Sequence, residues 1–327
     1  MMRCIQGWHL NRCNWLWLGG TVGVFGLLYY ALSTTLLQQE ISGQPQLRVL
    51  TYNIAGSHAD RKQIANLLYQ HAPDILLLQE VPRQRLVDWL GDRLQLPYRH
   101  FVPYSGRPVG GIAILSRWPL GPAQTMSFTR SQQGKVALAA QIHTPAGPVW
   151  ACSVHLDAPR THDFGRSVLQ QGAFALGEFF ATPIRYHQVR ELQSWLATLS
   201  SHAWIVAGDF NSMPFSTTDR YISRYFHDVL LQRPWRYFTG TFWDLPQVPI
   251  RPRLDYVYHS PGIRVVDAQV IQRKISDHFP VLAILTPTPV AAAASDSDLS
   301  LTQAAAAMSH PPVAPATTAD SAWSQRL

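Results

Sequence analysis

Apolar and polar positions alternate along residues 47–54 (LRVLTYNI) and the run stops at Gly56, the period-two pattern of a strand. Residues 60–71 change to a helical period, with Ile64, Leu67 and Leu68 on one face. Pro73-Asp74 then opens a short strand at 75–78 that runs into Gln79-Glu80. A helix is expected over 83–95, and Gly110-Gly111 precede a strand at 112–116. The runs 136–143 and 149–155 predict a hairpin joined through Thr144-Pro145-Ala146-Gly147, a turn-forming sequence. Residues 158–200 are mostly helical in pattern, broken by Gly172, Gly177 and Pro183. Val189, Leu192, Trp195, Leu196 and Leu199 make the second half amphipathic. Further strands follow at 204–207, 254–258, 263–271 and 281–285. Strands and helices mix without strict βαβ alternation or internal repeat, which points to stacked sheets flanked by helices.

The two ends differ from this middle. No charged residue lies between Arg12 and Glu40, and residues 15–37 would span roughly 34 Å as a helix at about 1.5 Å per residue, enough to cross a bilayer. Trp15 and Trp17 at one end and Tyr29 and Tyr30 towards the other suit aromatic belts. Arg3 and Arg12 make residues 1–14 a short basic segment whose charge places it in the cytoplasm and the rest of the chain outside. The competing reading is a signal peptide cleaved after Ala31-Leu32-Ser33, which would make the protein secreted. Residues 287–327 turn to Ala, Pro, Ser and Thr and are expected to be a disordered tail. Residues 43–286 remain as one folded domain.

Charge and cysteine content narrow the picture modestly. Lys and Arg number 27 against 20 Asp and Glu, and the excess is arginine, because Lys62, Lys135 and Lys274 are the lysines. Such a balance favours phosphate-bearing partners but also serves plain solubility. Cys152 is the one cysteine of the domain and lies in an apolar run, while Cys4 and Cys13 precede residues 15–37. No disulfide within the domain and no cysteine metal site is available, so Cys152 is expected in the core.

Polar residues recur where apolar strands begin or end: Asn53, Glu80, His155, Asp209 with Asn211, and Asp277 with His278. Taken singly, each reads as a cap or turn former. Taken together, packed sheets would bring these strand ends to one rim and collect them in one cleft. Glu80 offers hard oxygen ligands for Mg²⁺, with Asn53 holding that carboxylate or a metal-bound water. Asp277 beside His278 supplies a carboxylate that can fix an imidazole tautomer. Neighbouring residues of an extended strand point to opposite faces, however, so either a turn intervenes or another carboxylate orients His278.

The segments TYNI (51–54), LLLQE (76–80), SVHLD (153–157), IVAGDFNSMP (205–214), RLDYVY (253–258) and SDHFPV (276–281) resemble, in order, the motifs of the endonuclease/exonuclease/phosphatase superfamily. The resemblance implies an α/β fold, the DNase I-like four-layer sandwich, with two central mixed β-sheets flanked by helices and one active site at their rim. To this the sequence adds the N-terminal transmembrane helix. It further implies Mg²⁺, with Mn²⁺ as a substitute, at Glu80 and its neighbour Asn53. His155 matches a histidine that stabilises phosphate charge, and Asp209 a carboxylate that aligns or deprotonates the attacking water. Asn211 matches an amide on a phosphate oxygen, and His278 the second histidine with Asp277 as its companion. Asp255 matches an acidic position expected to be structural or to act through its neighbours. Between Asp209 and His278 the choice of base stays open.

The expected function is Mg²⁺-dependent hydrolysis of a phosphodiester, nuclease-like. A membrane-lipid phosphodiesterase or phosphatase is the alternative, of the sphingomyelinase or phosphoinositide-phosphatase kind. Nucleic acid as partner draws on the arginines of RPRLDY and on Arg160, Arg166, Arg185 and Arg190. A lipid headgroup draws on residues 15–37 and on the apolar stretch 164–184, whose Phe164, Phe174, Phe179 and Phe180 are read as dipping into an interface or as a core face. A catalytically inactive membrane-tethered binding module is the third reading, disfavoured by the completeness of the polar set. No protein partner is inferable.

Overall fold

A computed structural model of the chain describes residues 45–56, 60–107, 109–159, 179–180, 183–199, 201, 203–243 and 251–288. The elements run β1 (Leu47–Asn53), α1 (Arg61–His71), β2 (Ile75–Gln79), α2 (Gln84–Leu94), β3 (Tyr98–Pro103), β4 (Gly111–Ser116), β5 (Gln124–Ser127), β6 (Val136–Thr144) and β7 (Gly147–His155). They continue with α3 (Pro183–Thr198), β8 (Trp204–Asp209), α4 (Thr217–Ile222), β9 (His227–Asp228), α5 (Pro234–Tyr237), β10 (Asp255–His259), β11 (Ile263–Val270) and β12 (Val281–Pro287).

The strands form two six-stranded sheets, ordered β11-β12-β1-β2-β4-β3 and β5-β6-β7-β8-β10-β9. Each is mixed: β1 and β2 are parallel in the first, β7 and β8 in the second, and the remaining pairs are antiparallel. The central strands are buried on both faces, which is why their sequences read as almost unbroken apolar runs. Val49, Ile75, Leu77, Ile114, Ala151, Ile205 and Ala207 point into the core between the sheets. Leu50, Tyr52, Leu76, Leu78 and Leu115 point the other way, onto Ile64, Leu68, Val87 and Leu90 of α1 and α2. On the far side, Cys152, Val154 and Val206 meet Val189, Leu192, Leu196 and Ile222 of α3 and α4. The order is thus helices, sheet, sheet, helices. Cys152 is buried and free, as its apolar neighbours suggest.

Local signals account for the element ends. Asp60 caps α1 by accepting from the Lys62 and Gln63 amides at 2.8 and 3.3 Å. Thr144 pairs with Gly147 to close the β6–β7 hairpin, with Gly147 at φ 105°. Three strands escape the sequence pattern. In β3 (YRHFVP) and β5 (QTMS) no residue is fully buried, so neither carries a run of apolar positions, and β9 is two residues long. Residues 1–44 and 289–327 lie outside the described residues, and with them the expected helix at 15–37, the cytoplasmic segment and nearly all of the expected tail. Among the described residues no helix is long and apolar enough to cross a membrane. Of the stretch 158–200, α3 begins at Pro183, and most of what precedes it is likewise outside the described residues.

Registry then fixes the rim. Asn53 lies opposite Gln79, His155 opposite Asp209, and Asp209 opposite Asp255, so the polar strand ends sit at one level. Gly208 makes this possible: at φ 146° its Cα faces the Val154 carbonyl oxygen, and a Cβ there would stand 1.9 Å from it. Gly208→Ala should therefore cost clearly more than the roughly 1 kcal/mol of a strained but uncrowded glycine site. Gly106→Ala, at φ 66° with nothing within 4 Å, is the comparison. Chemical denaturation of both variants checks this, and equal losses would refute the crowding argument.

Candidate active site

Asp209 ends β8 fully buried, and a buried carboxylate persists only with hydrogen-bonding partners. Its Oδ1 accepts from the Asn211 amide at 2.9 Å, and its Oδ2 accepts from Asn53 Nδ2 at 3.0 Å, across from the other sheet. His155 Nε2 stands 3.4 Å and His278 Nε2 3.7 Å from the same Oδ2. Asn211 itself turns at φ 49° and donates through Nδ2 to the Leu156 carbonyl at 3.0 Å.

Glu80 follows β2 at φ 55°, a conformation that turns its side chain out of the strand. Its carboxylate is 39 % exposed, the most open acid of the cluster, and its Oε1 lies 3.9 Å from His155 Nε2. Asn53 Nδ2 also reaches this oxygen at 3.4 Å, while Asn53 Oδ1 accepts from the Ala55 amide at 3.1 Å. The amide thus aims its donor face at both carboxylates. Asn53, expected beside a metal at Glu80, reaches that carboxylate directly.

The two histidines are held in opposite charge states. The Glu80 amide donates to the Tyr104 hydroxyl at 3.0 Å, so that hydroxyl donates onward to His155 Nδ1 at 2.6 Å and leaves the proton of His155 on Nε2. Lys135 Nζ lies 2.9 Å from Nε2 and 3.3 Å from Nδ1 of His155, distances that put the ammonium over the ring face, and 4.6 Å from the Tyr104 centroid. Burial first, then the Lys135 charge, hold His155 well below its usual range, so it is neutral. Burial likewise lowers Lys135, against the pull of Glu80, Asp209 and Asp157.

His278 behaves differently because Nδ1 meets Asp255 Oδ2 at 2.7 Å. Burial alone would lower it, but the Asp255 and Asp209 carboxylates and the Asp255 hydrogen bond prevail and push it up to about 10. Burial raises Asp209 to about 7, with His278 opposing and Asp255 adding to the rise.

The carboxylate that hydrogen-bonds His278 is therefore Asp255 and not Asp277, its expected companion. Asp277 lies half-buried in a bend, where its Oδ1 is 3.0 Å from Ser276 Oγ and its carbonyl accepts from the Trp243 amide at 3.0 Å. Asp255 is positioned in turn by Thr241, whose Oγ1 accepts from the Leu254 and Asp255 amides at 2.9 and 3.0 Å. Phe242 packs on the His278 ring, centroids 4.9 Å apart.

Lys135, Tyr104 and Thr241 are absent from the sequence-derived set. A single lysine opening the apolar strand 136–143 was a signal for Lys135; Tyr104 and Thr241 carry none, because their roles arise from contacts across sheets and loops. The arginines fare unevenly. Arg185 is buried and donates to the Asp157 carbonyl at 3.2 Å, and Arg253 is buried against Asp228 at 2.5 Å between the rings of Tyr237 and Tyr256. Neither faces a polyanion. Arg190 is exposed, and Arg160 and Arg166 lie outside the described residues. Phe179 is buried against Leu254 and Phe180 is exposed, so the interface-dipping reading fails for Phe179; Phe164 and Phe174 lie outside the described residues.

Asp209, Asp255 and His278 bring three ligand-type atoms within 4.8 Å of one another. Asp255 Oδ2 and His278 Nδ1 pair with each other at 2.7 Å, which leaves Asp255 Oδ1, buried without a partner among the described residues, and His278 Nε2 as the atoms free for a ligand. Glu80 suits a hard cation better: an exposed oxygen donor beside a pocket of polar groups, as for Mg²⁺ held by one or two carboxylates and several waters.

His278 and Asp209 titrate with a common sign. His278, raised from its unfolded value near 6.5 to about 10, stabilises the fold below pH 6.5 and ceases to do so as pH rises through 10; Asp209, raised from 3.8 to about 7, follows the same course between those values. In EDTA, the contribution of these two groups to stability should fall from pH 4 to 10, against the opposite contribution of His155, which is held low. In Asp255→Asn, the His278 ring should titrate well below 10, which NMR of its Cε1 proton would report; an unchanged midpoint would refute the pairing.

Comparisons with known proteins follow from this geometry. The sequence profile of the Endonuclease/Exonuclease/phosphatase family matches residues 50–278. Comparison with curated protein sequences returned no match. Among solved structures, an endonuclease/exonuclease/phosphatase from Beutenbergia cavernae DSM 12333 is 22 % identical with a TM-score of 0.55, covering 74 % of this chain and 72 % of its own. The human Nocturnin catalytic domain with bound sulfate anion is 21 % identical (TM-score 0.56; 75 % of this chain, 96 % of that one). Sphingomyelinase C from Streptomyces griseocarneus is 19 % identical (TM-score 0.54; 74 % and 99 %). These similarities show the shared fold, and the profile match across most of the folded region shows that the chain belongs to the Endonuclease/Exonuclease/phosphatase family.

Proposed function

We propose that the protein is a Mg²⁺-dependent phosphodiesterase of nuclease type. The observation that carries this reading is the meeting of Asn53 and Glu80 from one sheet with His155, Asp209 and the Asp255–His278 pair from the other end of the chain around one buried carboxylate. Hydrolysis of a phosphodiester needs a water whose proton can leave, and donors for the charge that gathers on phosphate oxygens.

Asp209, raised to about 7, is the base: it takes the water proton as oxygen bonds to phosphorus and the ester P–O bond breaks. His278, raised to about 10, is already an imidazolium at neutral pH and cannot accept that proton; its role is to stabilise phosphate charge through Nε2. His155, neutral with its proton on Nε2, and Asn211 are further donors, and the Lys135 ammonium over His155 adds positive potential. Asn53 orients the Asp209 and Glu80 carboxylates. Glu80 would hold Mg²⁺, with Mn²⁺ as a substitute. That cation supplies charge neutralisation at the phosphate.

Nucleic acid is favoured as substrate by the chain's arginine excess, and in part by a cationic aromatic cavity described below. Similarity to a sphingomyelinase C keeps a lipid phosphodiester as the second reading. Anchoring through residues 15–37, with the catalytic domain extracytoplasmic, is part of the proposal. Mass spectrometry of the mature N-terminus tests it, since a chain starting at Thr34 would identify a cleaved signal peptide instead.

The full-length protein with Mg²⁺ should hydrolyse plasmid DNA, RNA or a single-stranded oligonucleotide in preference to sphingomyelin and phosphoinositides, and EDTA should abolish turnover. Asp209→Ala is expected to lower kcat by about 10²–10⁴ and His278→Ala by about 10²–10³. Turnover confined to sphingomyelin would favour the lipid reading, and turnover of none would refute the assignment.

A further inference from the structure

A second concave site lies between α3 and α4, outside the catalytic cluster. In α4, Thr218, Asp219 and Ile222 face inward. Asp219 is spent on the Phe215 amide at 2.7 Å and the Tyr258 hydroxyl at 2.7 Å. Thr217, Arg220, Tyr221 and Arg224, at helical spacings of three and four, form the opposite stripe. Pro183 and Tyr186 of α3 face them, and the six residues line a cavity of about 510 Å³, the size of a small-ligand site.

The chemistry of the lining is selective. Tyr186 and Tyr221 meet edge to face with centroids 5.5 Å apart, and both line the cavity. The Arg224 guanidinium lies 5.5 Å from the Tyr221 centroid, and Arg190 lies 5.9 Å from that of Tyr186. No carboxylate lines the cavity among the described residues. Elsewhere on the surface Arg99, Arg117, Arg233 and Arg236 each reach an aspartate, whereas Arg220 and Arg224 form no ion pair with a described residue. The wall therefore combines positive charge with aromatic side chains, and its two arginines are exposed.

Chain connectivity ties this cavity to the active site. Thr217 follows Asn211 by six residues, a span of at most about 20 Å at roughly 3.3–3.6 Å per residue. Ser216 fixes the start of α4 by accepting from the Asp219 amide at 3.1 Å. A strand held at Asp209 can thus reach the cavity within a few nucleotides.

We propose that the α3–α4 cavity binds one nucleotide unit of a single-stranded nucleic acid, its base against Tyr186 or Tyr221 and its phosphate on Arg220 and Arg224. Stacking of this kind requires an unpaired base, since duplex bases hide their faces. The inference rests on the nucleic-acid reading of the catalytic site.

Fluorescence anisotropy of the full-length chain with a labelled dT12 oligonucleotide in EDTA tests it without turnover. Arg220→Ala/Arg224→Ala should weaken binding about tenfold or more. It should also reduce the slope of log K against log salt by about 0.7, the value for the one phosphate contacted. Tyr221→Leu should lose about tenfold, and Tyr221→Phe, which keeps the ring, should not. With Mg²⁺, all variants should hydrolyse bis(p-nitrophenyl) phosphate as the parent does, which also verifies folding. Unchanged dT12 affinity and slope in the folded double variant would overturn the proposal, as would failure of the parent to bind dT12. Loss of binding to phosphatidylserine vesicles with dT12 binding intact would overturn it in favour of a lipid. If the parent cleaves no nucleic acid but its dT12 binding depends on both arginines, the cavity assignment stands and the nuclease reading falls.

Discussion

The hydrogen bond from Asn53 Nδ2 to Asp209 Oδ2 joins the two sheets at their rim, and the site is organised around it. A carboxylate as buried as Asp209 would be untenable in an apolar interior without compensation. Its two oxygens are met from both sides of the sandwich, by Asn53 on β1 and by the amide of Asn211 beyond β8. Ser276 extends the tie by donating to the Asn53 carbonyl at 2.8 Å, which draws the segment before β12 onto the same corner. Sheet packing and site geometry are thereby one problem: any slip of one sheet against the other breaks the contacts that make the buried charge tolerable.

Around this tie the electrostatics divide into two halves. On one side a tyrosine hydroxyl and a lysine ammonium keep His155 neutral. On the other, Asp255 and Asp209 keep His278 charged. Identical side chains therefore take unlike roles because of what each ring nitrogen faces. This separation sets Asp209 and His278 apart as the proposed base and cation, a distinction that the sequence motifs leave open.

Much of this was readable beforehand, for a definite reason. Central strands covered on both faces produce continuous apolar runs, and the polar residues that interrupt them at Asn53, Glu80, His155, Asp209 and His278 stand out against that background. Failure came where the informative contact is tertiary. Asp277 is adjacent to His278 in sequence but sits in a bend with its carboxylate beside Ser276, whereas Asp255, 23 positions earlier, arrives through the pairing of β10 with β8. Arg185 and Arg253 looked like surface charge because buried arginine is rare, and Asp157 and Asp228, the groups that make their burial tolerable, are fixed by the fold. The half-exposed strands β3 and β5 were missed because an edge strand with polar positions lacks the signal that betrayed the centre.

Glu80 is the one acid of the cluster left open to solvent, whereas Asp255 Oδ1 is buried without a hydrogen-bond partner among the described residues. The rim itself is tied by direct protein contacts, Asn53 to Asp209 and Asp255 to His278. A hard cation taken up at Glu80 would therefore enter from solvent without any opening of the core.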